Sequence, residues 1–398
     1  VAVAVLPSRA VLTPALLIGY AVTTVAHVIS VGLGTLLPFH VVDLGGSRTQ
    51  IGLVFSVMTV ASMVVRPAIG GWIDRLGARP VILPAIGLLA VTSLALHLPR
   101  RPEDVIAVIV GAGLANAAIN MTASVVTARA SGDAHRGEAL SVYYLGTSLA
   151  LAVAPPAALW LRAAAGTTAA FVAMTALTAV LLGLAISWPA WATARVTAAR
   201  RATWTLSRPA IGVSLALVLT TIGYSSIYAF LPLYAVQRGR GHLVVWFFTT
   251  YSVWLVVCRA LLGKLSDTLG RQRVVLPAMA LTALGYAILA LPPTAVSLLA
   301  AALVLGSASA VLYPTLAALV LDRAPDTERG LALGTLSAAW DLGVVVGSAL
   351  IGVVADRASF AAGFAVGGVA AALGTLAFYL VERTAVEHGR RARGLARA

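Results

Sequence analysis

The sequence predicts an all-α membrane protein: twelve transmembrane helices arranged as two pseudo-symmetric six-helix bundles. Three observations lead there. The 398 residues are 60% hydrophobic and only 11% charged, with a mean hydropathy of +0.95. An average soluble domain carries roughly 25% charged residues, so this chain cannot coat a water-facing surface. The apolar residues fall into twelve runs, each close to the ~20 residues that cross a bilayer. Finally, the second half of the chain repeats the first.

In chain order the runs occupy residues 12–42, 50–72, 81–98, 105–128, 139–161, 167–187, 209–237, 243–262, 274–291, 295–321, 331–354 and 360–381. Several exceed 25 residues, which a tilted or protruding helix accommodates without an extra span. The first run is too long for the apolar core of a signal peptide and lacks a small-residue cleavage site, so it reads as a span. One cysteine, Cys258, excludes a disulfide-built scaffold.

The net charge of +14 reads as topology once its residues are placed. Of 28 Lys and Arg, seven lie on one side (Arg48, Arg100, Arg101, Arg162, Arg238, Arg240 and Arg357) and 21 on the other, counting Arg66 and Arg259 at the near ends of their spans. The positive-inside rule puts the rich side, with both termini, in the cytoplasm of a cell bounded by this membrane. The basic linker at 195–208 and the tail beyond residue 382 would rest on anionic lipid headgroups. Nucleic acid is not expected as a partner, because the charge is dispersed over loops.

The repeat sets the domain organisation. RPAIGGWIDRLGARPVILPA (66–85) aligns with RALLGKLSDTLGRQRVVLPA (259–278), matching at nine of twenty positions with an offset of 193. LPFHVVDLG (37–45) meets LPLYAVQRG (231–239), and RGEAL (136–140) meets RGLAL (329–333), at almost the same offset. The expected bundles are therefore 1–194 and 209–381, joined by the linker 195–208 and followed by the tail 382–398. With six spans each, the repeats run parallel.

Two such halves, with G-x-x-x-D-R-x-G-x-R between the second and third spans and an echo between the eighth and ninth, resemble the major facilitator superfamily. Gly70, Asp74, Arg75, Gly77 and Arg79 carry the first copy; Gly263, Asp267, Gly270, Arg271 and Arg273 carry the second. The resemblance covers essentially the whole chain. It departs at Ala78, where a basic residue is usual, and at Thr268, which replaces the Arg after the aspartate.

Gly77 and Gly270 suit a tight turn with positive φ. Gly70 and Gly263 would allow close approach to the opposite half. Asp74 is expected against the N-terminus of the eleventh span near Arg329, and Asp267 against the fifth near Arg136, where a helix end favours negative charge. The resemblance implies that these contacts latch the halves on the cytoplasmic side. A plain turn with topology-setting arginines is the simpler alternative.

Of fourteen acidic residues, Asp341 alone lies deep in an apolar run. At 1.5 Å per residue it sits roughly 18 Å into the eleventh span, where a carboxylate is costly unless paired, protonated or hydrated. Two readings compete: Asp341 binds and releases a coupling proton, or it pairs permanently with Arg66 and ties the second span to the eleventh. His27, on a polar stripe with Tyr20, Thr23, Thr24 and Ser30, is a second candidate for proton exchange; a hydrogen-bonded packing histidine is its alternative.

The resemblance implies a central cavity lined by the first, fourth, seventh and tenth spans. These supply Asn116, Asn120, Thr221, Tyr224, Tyr228 and Tyr313, to which neighbouring spans could add Tyr143, Tyr144, Trp246, Tyr251, Trp254 and Trp340. Such a neutral, hydroxyl-rich, aromatic lining suits an uncharged or amphiphilic organic molecule. The drug-efflux signatures are weak: no Arg opens the fourth span, and Ala150, Ala154, Pro155 and Pro156 stand where that branch has glycines before its proline.

The expected function is proton-coupled export of small organic molecules by a monomer that needs no cofactor. Proton-coupled uptake or facilitated diffusion is the alternative within transport, and a non-transporting membrane sensor the alternative outside it. An enzyme is not expected, since HExxH, GxSxG, CxxC and GxxxxGK[ST] are all absent from the sequence.

Overall fold

The computed structural model describes residues 13–130, 132–189, 206–262, 265–325 and 328–395, with side chains described outside 128, 130, 132–144, 267 and 385–395. The described residues form helices and no strand. Helix α1 is Pro14–Asp43, opened by Thr13, whose hydroxyl accepts from the Leu16 N–H. Helix α2 is Arg48–Leu76, opened by a capping box in which Ser47 and Gln50 satisfy each other's backbone N–H groups. Helix α3 is Arg79–Ala95, and α4 is Pro102–Ala130 with Glu103 and Asp104 in its first turn, the end at which carboxylates are favoured.

The stretch Gly132–Ser187 is helical throughout except at Gly166, whose φ of +86° and ψ of 168° divide it into α5 before the break and α6 after it. Sequence reading places a loop at 162–166; the chain needs only one glycine there. Helix α7 is Arg208–Gln237 and contains a π-helical turn at Ser226–Phe230. Helix α8 is His242–Leu262, α9 is Arg271–Leu289 after a short helix at Leu265–Leu269, and α10 is Ala295–Arg323. Helix α11 is Arg329–Arg357 and α12 is Phe360–Leu395.

Ten of these segments have the length and hydropathy of a membrane span. One of the ten, Leu145–Ser187, runs 43 residues through the Gly166 break, and the 17-residue α3 falls just short of the length. The set is compatible with twelve crossings. Large apolar side chains stand exposed around the helices, among them Val91, Trp160, Leu215 and Val369, as a lipid solvent requires.

Within the N-terminal half, α1 packs on the α5–α6 stretch and α4, α2 packs on α4, and α3 packs on α4 and the α5–α6 stretch. Within the C-terminal half, α7 packs on α11 and α12, α9 on α10 and α12, and α8 on α10. Among the described residues the halves meet along α2 with α11, along the α5–α6 stretch with α8, and, more lightly, where α1 and α2 reach α7 around its π-helical turn.

In lipid, helices gain little from burying apolar area and rely on close packing. The α7–α11 contact illustrates this: a Cβ built on Gly343 would lie 1.9 Å from Thr221 Oγ1, and one on Gly347 2.0 Å from Ile222 O. Gly367 of α12 is also closely packed, with Gly223 Cα 2.8 Å from its Cβ position. Gly343 and Gly347 of α11 and Gly367 of α12 thus serve packing inside the chain.

Candidate functional site

The seam between α2 and α11 brings Arg66 and Asp341 together. Arg66 Nη1 donates to Asp341 Oδ2, joining residues 275 apart in sequence. The aspartate side chain is 9% exposed and the arginine 43%. The pair therefore has one dry and one accessible member, and its charges neutralise each other between the two halves.

Toward the Arg48 end the same seam tightens. Ser56 Oγ donates to Val345 O at 2.8 Å. A Cβ on Gly52 would sit 2.2 Å from Ser348 O, and one on Gly352 2.7 Å from Arg48 O. At the end of the seam the Asp356 carboxylate accepts from the backbone N–H groups of Arg48 and Thr49, at 2.9 and 2.7 Å, and from Thr49 Oγ1 at 2.5 Å. Arg48 in turn donates to Ala355 O and lays its guanidinium 4.2 Å from the Phe360 ring centroid. Sequence reasoning missed this cluster. Its signal was available: Asp356-Arg357 closes the eleventh span as Asp74-Arg75 closes the second.

The duplicated loops take the turn expected of them, with φ of +89° at Gly77 and +91° at Gly270. The contact of Asp74 differs from expectation. Asp74 pairs with Arg129 Nη2 of α4 at 3.1 Å rather than with the α11 N-terminus beside Arg329. The reason is proximity: α4 packs on α2 inside the same half, so its last turn brings a cation to the last turn of α2.

Gly70 likewise faces its own half, its Cβ position lying 3.2 Å from Met121 Cε; the glycines that meet the opposite half are Gly52 and Gly352. Arg79 donates to Ile186 O at 3.0 Å and to Trp188 O, closing the C-terminal end of α6. In the second copy, Arg271 Nε donates to Asp322 Oδ2 at 2.6 Å. Arg75 and Arg273 stand exposed. Gly263 and the Asp267 side chain lie outside the described residues.

His27 joins α1 to α5: its Nδ1 lies 2.9 Å from Thr23 O and its Nε2 3.4 Å from Thr147 Oγ1. Ser30 donates to Asn116 Oδ1, joining α1 to α4. Asn120, one helical turn further along α4, is half-buried.

On the C-terminal half, partly exposed aromatics form a connected group. Tyr224 and Tyr313 sit edge-on to Trp340, with ring centroids 4.9 and 5.5 Å away. Tyr228 continues the group at 5.0 Å from Tyr224. Hydroxyls decorate it: Tyr224 donates to Tyr228 at 3.3 Å, and Tyr313 lies 2.9 Å from Ser337 Oγ. Trp340 immediately precedes Asp341, so the aromatic group and the ion pair share one turn of α11.

Among the expected lining residues, Thr221 and Tyr251 are buried, Tyr251 donating to Ser309 Oγ at 3.0 Å, and Trp246 is widely exposed. Thr221 is 2% exposed and donates to Leu217 O at 2.9 Å. It fills the α7–α11 contact because Gly343 leaves room for it. Trp246 is 62% exposed. The side chains of Tyr143 and Tyr144 lie outside the described residues.

A family model described as the Major Facilitator Superfamily matches residues 16–245 and 213–397. The staphylopine export protein of Staphylococcus aureus is 24% identical over 343 residues, covering 82% of this chain and 86% of that protein. An uncharacterised MFS-type transporter of Salmonella typhimurium is 27% identical, over 87% of this chain and 91% of its own length. Among solved structures, a nucleoside transporter superposes with a TM-score of 0.76 at 16% identity, covering 92% of this chain and 99% of the other. A POT-family transporter in complex with a thioalcohol-conjugated peptide gives a TM-score of 0.78 at 12% identity, over 93% and 96% of the two chains.

Proposed function

The chain belongs to the Major Facilitator Superfamily, and from that premise we propose that this transporter exports small neutral or amphiphilic organic molecules in exchange for protons. The bundles 1–194 and 209–381 would rock about the α2–α11 and α5–α8 seams, so that a midplane cavity opens alternately to each side. Both termini would lie in the cytoplasm, and the linker and tail would rest on anionic lipid.

The Arg66–Asp341 pair carries this reading, because it is an ionic contact between the halves at membrane depth. Protonation of the Asp341 carboxylate removes its charge, and the neutral acid no longer holds Arg66. A proton arriving from the outer side would thus loosen the midplane contact, and its loss to the cytoplasm would restore it. The aromatic group beside Asp341 offers ring faces and hydroxyls to a substrate without asking for a formal charge. Export is favoured over uptake by the likeness to a staphylopine exporter.

The test is proton flux in proteoliposomes. A thermal-shift screen of metabolites and drugs across pH identifies a stabilising compound, and its addition should then move protons across the membrane. Asp341→Asn should abolish that flux. A mutant that still transports the compound with unchanged pH dependence would leave Asp341 as a static tie.

A further inference from the structure

We propose that Asp356 is a releasable latch: it closes the Arg48 end of the α2–α11 seam by capping the N-terminus of α2 from the opposite half. The inference needs the two halves to move apart at this end, but neither a coupling proton nor a particular substrate.

The first four N–H groups of a helix lack intrahelical partners and carry partial positive charge. In α2, Ser47 satisfies the Gln50 N–H from within the chain. The N–H groups of Arg48 and Thr49 are satisfied by Asp356, which reaches them from 308 and 307 residues away. The exchange is reciprocal, since Arg48 sends its guanidinium to Ala355 O in the last turn of α11. Each helix therefore closes the other's open end, negative charge on an N-terminus and positive charge on a C-terminus.

Three features make this a latch rather than a fixed weld. Asp356 is exposed, so water can take over its hydrogen bonds and no charge is stranded in a dry interior when it lets go. The residues beneath it, Gly52 and Gly352, hold the seam by backbone contact alone, a fit that separates without breaking a charged pair. And the opposite end of the same two helices holds the same residue types. Arg329 opens α11 as Arg48 opens α2, and Asp74-Arg75 closes α2 as Asp356-Arg357 closes α11. In this structure the Arg48 end is engaged, whereas Asp74 is turned to Arg129 in its own half.

The experiment measures the opening of that end directly. In a Cys258→Ser background, spin labels at Leu98→Cys and Leu291→Cys, both on exposed loop residues, report the distance between the halves in nanodiscs. Hydrogen bonds to a charged group contribute enough that losing them should raise the population with the long distance about tenfold in Asp356→Ala. Thr49→Ala, which removes one hydroxyl contact from an otherwise ordinary helix turn, should move it the same way by a smaller factor. It decides the matter if Asp356→Ala does not fold. An unchanged distance distribution in correctly folded variants overturns the latch. Because the labels report neither protons nor substrate, that outcome stays separate from a failed proton-flux test of Asp341.

Discussion

Gly77 and Gly71 lie six residues apart at the end of α2, and they separate two reasons for a glycine. Gly77 has φ +89° and ψ 172°, a combination that side chains other than glycine's reach only with strain of about 1–3 kcal/mol. Gly71 sits inside the helix with nothing within 4 Å of its Cβ position. Gly77→Ala should therefore lower the melting temperature of the purified protein by several degrees, while Gly71→Ala should leave it unchanged or raise it. Equal effects at the two positions would refute a conformational role for Gly77. The turn was legible because glycine recurs at 270 in the repeat. The partner of Asp74 was not, since an aspartate at a helix end records only that a positive group is nearby. Which group that is depends on whether α4 or α11 reaches it, and that is settled by how the helices pack.

At the scale of the element, α11 is held on two sides by small residues: Gly343 and Gly347 against α7, and Gly352 against α2. The spacing of Gly343 and Gly347 in the sequence predicts a close helix contact without saying with which helix. That information is absent because every apolar helix offers the same lipid-like surface. Thr221 was misplaced for the same reason: a threonine on the seventh span suits a cavity wall as well as a helix contact, and only the space left by Gly343 decides between them.

The contact also makes a prediction. A methyl group at Gly347 would meet backbone, Ile222 O at 2.0 Å, so Gly347→Ala must push the helices apart. Overpacking of that kind typically costs about 1–3 kcal/mol. Gly334 of the same helix has open space around it, and Gly334→Ala should be neutral or mildly stabilising. Thermal melts of both variants check the contrast, and a Gly347→Ala protein as stable as the parent would mean that α11 can slide on α7.

Over the whole molecule, charge does what hydrophobicity cannot: it gives the bundle a direction. The two faces of an apolar helical bundle are equivalent to lipid, but the order of the chain assigns 21 of its 28 Lys and Arg to one side, counting Arg66 and Arg259 from the near ends of their spans, and seven to the other. If that bias sets the insertion, the end carrying Arg48 and Asp356 faces outward, and the structure is closed on the outer side by its engaged seam. Single cysteines in the Cys258→Ser background read this out in intact cells. A membrane-impermeant maleimide should label Leu98→Cys and Leu291→Cys without permeabilisation, because both residues are exposed, at 75% and 53%, in loops on the charge-poor side. Leu269→Cys, 49% exposed beside Gly270 on the charge-rich side, should react only after the membrane is opened. The reverse pattern would turn the molecule over, making the Asp356 contact an inner gate and reversing the route assigned to the proton through Asp341.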